Sequence, residues 1–85
     1  MSLDIVPFVI LERHDPARNM ARYYVLSIES SLFGDTALVR HWGRLGRNGR
    51  QRIDLFRQHA HAIESLDAWF ARKARRGYVV RAQIR

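Results

Sequence analysis

The chain has 85 residues, a formal net charge of +7 and no cysteine. This length predicts one small domain spanning residues 1–85, which buries only a little over ~60% of its unfolded surface. Without cysteine the chain forms neither disulfides nor a thiolate zinc site, and this composition suits a reducing compartment. The apolar run at residues 5–11 is too short to cross a bilayer and is not followed by a cleavage signal, so we expect a cytoplasmic protein.

The positive charge is concentrated in the second half of the chain. Residues 1–39 hold three arginines against five carboxylates, whereas residues 40–85 hold twelve basic residues against three carboxylates. Within that half, the segment HWGRLGRNGRQR (41–52) places four arginines and three glycines around one tryptophan, with no carboxylate. Charge of one sign clustered in this way predicts a surface that binds an anion, and nucleic acid is the leading candidate.

The hydrophobic pattern predicts mainly strands. Four segments before residue 57 are rich in β-branched and aromatic residues and are separated by turn-forming residues such as Asp, Pro, Asn and Gly. A similar short segment ends the chain. The predicted strands are 4–14, 22–29, 36–46, 50–56 and 78–84, with turns at 15–19 and 30–35.

One helix is predicted over residues 58–76, where the apolar period changes to three and four residues. Gly77 follows at the position typical of a glycine that ends a helix. Trp69 lies beside the apolar stripe and is expected in the core or at its boundary. The stripe consists of Ala60, Ile63, Leu66, Phe70 and Ala74. The predicted fold class is therefore α+β, a mostly antiparallel sheet of about five strands with one α-helix packed across it.

The connection between the third and fourth strands admits two lengths. A two-residue turn at Asn48–Gly49 would mix apolar and charged partners across the hairpin. A three-residue loop, with Gly49 in the left-handed conformation, separates an apolar face from a charged face, so we prefer it. This register places Arg44 directly opposite Arg52, a repulsion that a bound phosphate would relieve.

Alternation along the third strand directs Arg40, Trp42 and Arg44 to one face. Gly43 leaves bare backbone on the other face, where a neighbouring element can approach closely. A tryptophan on a strand is either part of the core or an exposed platform, and the two flanking arginines favour a platform facing solvent. An exposed ring among arginines matches the way proteins stack bases or sugars while holding phosphates in guanidinium forks.

Other chemistries find little support in the sequence. His59 and His61 are two residues apart on the predicted helix and point in different directions, so we expect no metal site. The serines lack the context of a nucleophile elbow, and the glycine-rich segment lies in a hairpin rather than between a strand and a helix. We therefore predict no catalytic residue, no cofactor and no enzymatic activity.

Four segments in order resemble the WGR domain family, a module of poly(ADP-ribose) polymerases, of some bacterial regulators and of small stand-alone bacterial proteins. WGRLG (42–46) is similar to the family signature, and NMARYYVL (19–26) to its asparagine turn and aromatic strand. Gly49, Ile53 and Phe56 fall at the expected distances, and KARRGY (73–78) is similar to the family's ending. One departure is Arg50, where many bacterial members have glutamine.

The resemblance implies a curved antiparallel sheet with one helix, and DNA binding near a strand break. It further implies that Trp42 packs against the sugar of a terminal nucleotide, and that Arg44 holds phosphate or braces the loop. The predicted nucleic-acid contacts are Arg40, Trp42, Arg44, Arg47, Arg50, Arg52 and Lys73. The predicted structural residues of the motif are Gly43, Gly46, Gly49, Gly77 and Tyr78.

The leading hypothesis is a non-catalytic module that binds DNA at ends, nicks or other breaks, with RNA left open. The alternative is a protein-interaction adaptor that uses the same arginine-rich face against an acidic partner. Membrane binding is not expected, because the basic helix lacks a broad exposed apolar face. The oligomeric state is left open.

Overall fold

Five antiparallel strands form one sheet, and a single helix crosses one of its faces, in a computed structural model that describes residues 7–85. The predicted α+β class is confirmed. The first three residues of the predicted first strand lie outside the described part of the chain. The elements are β1 (Phe8–Asp15), β2 (Met20–Ser30), β3 (Thr36–Arg44), β4 (Arg50–Phe56), α1 (His59–Arg75) and β5 (Val79–Ile84).

The strand order is β4-β3-β2-β1-β5, so the last strand pairs with the first. A short 3-10 turn at Pro16–Arg18 joins β1 to β2, and Asn19 follows it in the left-handed conformation. Sequence analysis predicted this turn from the same residues. β2, the longest strand, begins two residues earlier than predicted and lies in the middle of the sheet.

The core lies between the helix and the sheet. Alternate residues of β1, β2 and β3 point toward the helix, which contributes two fully buried residues of its own. Aliphatic side chains buried on both surfaces supply the main stabilisation of a domain this small. The buried cluster consists of Val9, Leu11, Tyr24, Leu26, Ile28, Leu38, Ala62 and Leu66.

The buried stripe of α1 is rotated from the predicted one. Ala60 and Ala74, which were predicted in the stripe, are exposed, whereas Ala62 is fully buried. Ala62, Leu66 and Trp69 follow one another at spacings of four and three, and this row meets the sheet. Trp69 is half-buried against the core, as expected.

The predicted register of the β3–β4 hairpin is wrong. Arg52 lies opposite Arg40 rather than Arg44, and the connection contains five residues, 45–49. The left-handed residue of this loop is Gly46, with φ of 79°, and not Gly49. The longer loop reaches back to the sheet, because the Leu45 N–H donates to the Ala21 carbonyl of β2 at 3.0 Å.

The sheet faces are also assigned differently from the prediction. Arg40 and Trp42 do share a face, because they are two residues apart on β3, but that face is the one under the helix. Their partners on β2 are Leu26 and Tyr24, both buried in the core. The opposite face, predicted to be the covered apolar one, leaves the Ile53 side chain 53% exposed.

The hairpin loop closes against β3 through two glycines. A Cβ on Gly43 would lie 2.8 Å from the Gly49 Cα, and a Cβ on Gly49 would overlap the Trp42 carbonyl and the Tyr23 hydroxyl. The close approach predicted at Gly43 is therefore made by the loop that follows it. The close contact between Gly43 and Gly49 holds the loop against the end of β3 that carries Trp42.

Replacing Gly49 by alanine is expected to destabilise the fold by about 1–3 kcal/mol, since the added methyl group must displace backbone atoms. Chemical denaturation measures the change in the free energy of unfolding. Asn48→Ala in the same loop is the control and should change it by less than about 0.5 kcal/mol. Equal stability of the two variants would contradict the close packing of the loop.

Candidate nucleic-acid interface

Arg40 is a buried structural residue and not a solvent-facing contact. Its side chain is 8% exposed, and its guanidinium donates to the Tyr24 hydroxyl at 3.2 Å and pairs with Asp54 at 3.5 Å. The guanidinium carbon lies 4.0 Å from the Trp69 ring centroid and 5.6 Å from that of Trp42. Sequence analysis predicted exposure for Arg40, and that prediction is wrong because the strand face it occupies continues the core.

Trp42 is half-buried at the margin of this core. Its ring stacks on Tyr24 with centroids 5.8 Å apart and planes at 20°, and Tyr24 stacks in turn on Trp69. Between the two alternatives of an exposed platform and a core residue, Trp42 is intermediate, with aromatic neighbours packed against one side of its ring. Trp42 nevertheless lines a surface cavity together with Tyr24.

Three arginines lie side by side on adjacent strands. Arg13 of β1 is directly opposite Arg22 of β2, which is directly opposite Arg44 of β3. Directly opposite residues share a sheet face, and like charges at that spacing are destabilising. Among residues 7–85, no carboxylate lies within 4 Å of any of the three. We call these residues the arginine row.

The end of α1 supplies two more cations through its capping turn. The Gly77 N–H donates to the Ala74 carbonyl, and the Tyr78 N–H donates to the Lys73 carbonyl, which are the two hydrogen bonds of a Schellman motif. Gly77 has a φ of 94°, as its predicted role at the helix end requires. The motif holds Lys73 close to Tyr78 and directs Arg76 toward the arginine row.

These elements surround a cavity of about 240 Å³. Its walls carry four cationic side chains and four aromatic residues from β1, β2, β3 and the helix end. No carboxylate of the described residues lines it. The lining residues are Arg13, Arg22, Tyr23, Tyr24, Trp42, Gly43, Lys73, Arg76 and Tyr78. We call it the cationic cavity.

Lys73 reports the electrostatic character of this cavity. Its ammonium lies 4.5 Å from the Tyr24 ring centroid and 5.6 Å from that of Tyr78. Burial lowers the pKa of Lys73, and the nearby charges of Arg76, Arg40, Arg72 and Arg22 lower it further. The neighbouring charges that lower the pKa of Lys73 are all positive, so an anion entering the cavity would be stabilised.

Most carboxylates of the described residues are engaged elsewhere. Asp54 pairs with Arg40 and with Arg52, both at 3.5 Å. Glu12, on the opposite face of the sheet, pairs with Arg81 at 3.2 Å, and Asp67 pairs with Arg85. These carboxylates therefore do not neutralise the cations of the cavity.

A second depression of about 460 Å³ adjoins the same end of the sheet. Arg44 and Arg47 line it, and the Arg44 guanidinium donates to the Asn19 carbonyl at 3.2 Å. Arg44 thus both belongs to the arginine row and braces the β1–β2 connection. The other lining residues are His14, Pro16, Met20, Ala21 and Leu45.

The structure brings together only some of the predicted contact residues. Trp42 and Lys73 line the cationic cavity, while Arg44 and Arg47 line the second depression. The remaining ones are placed apart from either opening: Arg40 in the core, Arg50 opposite Trp42 on the edge strand, and Arg52 paired with Asp54.

The predicted contact residues did not include Arg13, Arg22 or Arg76, which line the cationic cavity. The first two lie in the half of the chain with net negative charge, so the charge distribution did not indicate them. The alternation of side chains along β1 could have indicated Arg13, because it lies on the same face of the strand as the buried residues Val9 and Leu11. A charged residue extending an apolar strand face marks the point where the core opens to solvent.

Two further features of the described residues bear on function. No group of three His, Cys, Asp or Glu side chains within residues 7–85 is arranged to hold a metal ion. In the same range, no helix has the length and apolar character needed to cross a membrane.

An antiparallel sheet crossed by one helix, with a charged and aromatic cavity at the helix end, defines a small α+β module. The chain belongs to the WGR domain family, whose model matches residues 8–85. WGR domains are non-catalytic, and in poly(ADP-ribose) polymerases they generally act as nucleic-acid-binding modules.

A protein of Sinorhizobium fredii (strain NBRC 101917 / NGR234), described as "Uncharacterized protein y4dW", is 45% identical over 74 residues. The match covers 87% of this chain and 36% of that protein, so the chain spans about a third of the length of its curated relative. No solved structure matches the chain.

Proposed function

We propose that this chain is a non-catalytic module that binds DNA at ends, nicks or other breaks through the cationic cavity. The observation that carries the proposal is the cavity wall itself, where four cations without carboxylate partners surround aromatic rings. This combination fits a phosphodiester with an adjoining sugar or base, because cations neutralise phosphate and rings stack on the rest. Family membership supports the same class of ligand.

The cavity favours a strand terminus or break over continuous duplex. Its volume of about 240 Å³ is too small to receive a base pair, and Trp42 is half-buried within it. A nucleotide whose stacking partner is missing can bring its sugar to the ring, whereas a stacked nucleotide inside a duplex cannot. We therefore assign the contact with the terminal sugar to Trp42, and contacts with the neighbouring phosphates to Arg13, Arg22 and Arg76.

The other predicted cations extend this path along the same end of the sheet. Arg44 adjoins Arg22, Arg47 lies in the loop after it, and Arg50 stands opposite Trp42 at the sheet edge. We propose that they contact the phosphates that follow the terminal nucleotide. We expect Arg52 to contribute little to DNA binding, because its guanidinium is paired with the Asp54 carboxylate.

The test is a binding titration with nicked duplex, blunt duplex, intact circular duplex, single-stranded DNA and RNA. Nicked and blunt DNA should bind more tightly than the intact circle. If the four cavity cations alone neutralise about four phosphates, raising the salt from 50 to 200 mM should weaken binding at least about a hundredfold. Equal affinity for the circle and the nicked duplex would contradict recognition of breaks, and absence of salt dependence would contradict phosphate binding.

Trp42→Ala is expected to weaken binding of nicked DNA by about 1–3 kcal/mol, because stacking on the ring is lost. Since Trp42 also packs on Tyr24, circular dichroism must first show that the variant is folded. Trp42→Phe keeps an aromatic surface and should retain part of the affinity. A folded alanine variant with unchanged affinity would show that the ring is only structural.

An acidic protein partner remains the competing occupant of the same cations. It would be indicated if the chain captured a stoichiometric acidic protein and retarded none of the nucleic acids in the panel. That outcome would overturn the proposed function while leaving the cationic cavity as the interface.

A further inference from the structure

Lys73 is the one lysine of the whole chain, beside fourteen arginines. All the other residues counted as positively charged are arginines. The lone ε-amine lies in the wall of the cationic cavity, and not on the open surface where lysine usually lies. A guanidinium and an ammonium both bind phosphate, but only the amine can lose its proton and act as a nucleophile.

The cavity wall surrounds the Lys73 amine with aromatic rings and cations. Its Nζ lies 4.5 Å from the Tyr24 ring centroid and 5.6 Å from that of Tyr78. The charged groups that face it are Arg22 from β2, Arg40 from β3, and Arg72 and Arg76 from its own helix. All four are cations, and no carboxylate of residues 7–85 lines the cavity.

Desolvation and nearby positive charge together lower the pKa of Lys73, with burial the larger cause. The same two influences activate lysine nucleophiles toward carbonyl compounds in enzymes. The fraction of neutral amine at a given pH is consequently higher for Lys73 than for an exposed lysine.

We propose that Lys73 forms an imine with an aldehyde carried on a phosphate ester, which the arginines of the cationic cavity hold beside its amine. This inference rests on the proposed function for the phosphate contact and adds a covalent step to it. The chemical class is a phosphorylated sugar aldehyde, either at an abasic position of DNA or on a small free molecule.

The step balances without any further reactant. The neutral Lys73 amine attacks the aldehyde carbon, a C–N bond forms, and one amine proton passes to the former carbonyl oxygen. The resulting carbinolamine then loses this hydroxyl group together with the remaining amine proton as one molecule of water. The product is a C=N double bond between Nζ and the former aldehyde carbon. In its protonated form this imine keeps the positive charge of the original ammonium, so the bound phosphate stabilises both.

The experiment traps the imine by borohydride reduction with two probes, pyridoxal 5′-phosphate and a duplex with one abasic site. Peptide mapping then locates the adduct at Lys73 or at the α-amine of Met1. The matched control is the double variant Lys73→Arg with Arg75→Lys, which conserves composition and net charge but moves the one lysine to an exposed helix position outside the cavity. Binding of nicked DNA without an abasic site is measured in parallel without borohydride.

We expect adducts at Lys73 of the native chain severalfold above those at the transplanted lysine, with the excess persisting to lower pH than for a free lysine side chain. Trapping of the abasic duplex supports DNA as the source of the aldehyde, and trapping of pyridoxal 5′-phosphate alone supports a small phosphorylated molecule. Adducts confined to Met1, or equal in the native chain and the double variant, would overturn the proposal.

The parallel binding assay separates the two proposals. Binding of nicked DNA without any Lys73 adduct would refute the imine and leave the DNA-binding function in place. Absence of DNA binding together with a Lys73 adduct of pyridoxal 5′-phosphate would refute the DNA function and retain the reactive amine.

Discussion

Replacing Arg13, Arg22 and Arg76 together by glutamine is expected to weaken binding of nicked DNA on the order of a hundredfold near 0.15 M salt. Each of these cations lines the cavity without a carboxylate partner among the described residues, so each is free to neutralise one phosphate. Three lost contacts should also reduce the slope of log affinity against log salt by about 2.7, from about 0.9 per phosphate. Titration at four salt concentrations measures both quantities.

The matched control removes three arginines that lie away from the cavity: Arg57, Arg81 and Arg85. This control triple has the same net charge as the first, and Arg81 and Arg85 are already paired with carboxylates on the surface. It should lose affinity only through the weaker long-range field. Equal losses in the two triples would mean that overall charge, and not the cavity, attracts the DNA.

Arg40→Ala is expected to lower the free energy of unfolding by about 2 kcal/mol or more, an effect on the fold and not primarily on the ligand. The substitution removes a buried guanidinium, its hydrogen bond to Tyr24 and its contact with Trp69. Breaking a fully buried ion pair costs about 3–5 kcal/mol, and the cost here is smaller because the Asp54 side chain is 32% exposed.

Arg52→Ala is the natural comparison, since Arg52 pairs with the same carboxylate from an exposed position. The Arg52→Ala substitution should lower the free energy of unfolding by less than about 1 kcal/mol. Urea denaturation of both variants measures the difference. An Arg40→Ala variant with native stability and lost DNA affinity would restore Arg40 to the contact surface that its sequence neighbours suggested.

Local patterns in the sequence were enough to predict every element of the fold. The strand segments, the helix and Gly77 at its end each depend on spacing or backbone chemistry within a few residues. The loop of the β3–β4 hairpin instead makes contacts between residues far apart in sequence, since Gly49 lies against Tyr23 and the Leu45 N–H donates to the Ala21 carbonyl. Loop-length preference alone therefore gave the wrong partner for Arg52.

Only part of the candidate site was predicted, because strand pairing brings together residues that are far apart in sequence. Trp42, Arg44 and Lys73 were predicted because they belong to motifs. Arg13 and Arg22 come together with them only through the order of strands, with β2 between β1 and β3. The prediction that Arg40 faces solvent was wrong for a different reason. Alternation shows which residues of a strand share a face of the sheet, but it does not show which face the helix covers.

Both tryptophans of the chain flank one guanidinium, with Arg40 4.0 Å from the Trp69 ring and 5.6 Å from the Trp42 ring. Trp42 also forms part of the cavity wall, whereas Trp69 does not line it. The two tryptophans are intrinsic fluorophores, of which Trp42 lies in the wall of the cationic cavity and Trp69 lies outside it. Occupancy can be followed by emission from unlabelled protein, with a Trp69→Phe variant isolating the signal of the ring at the opening.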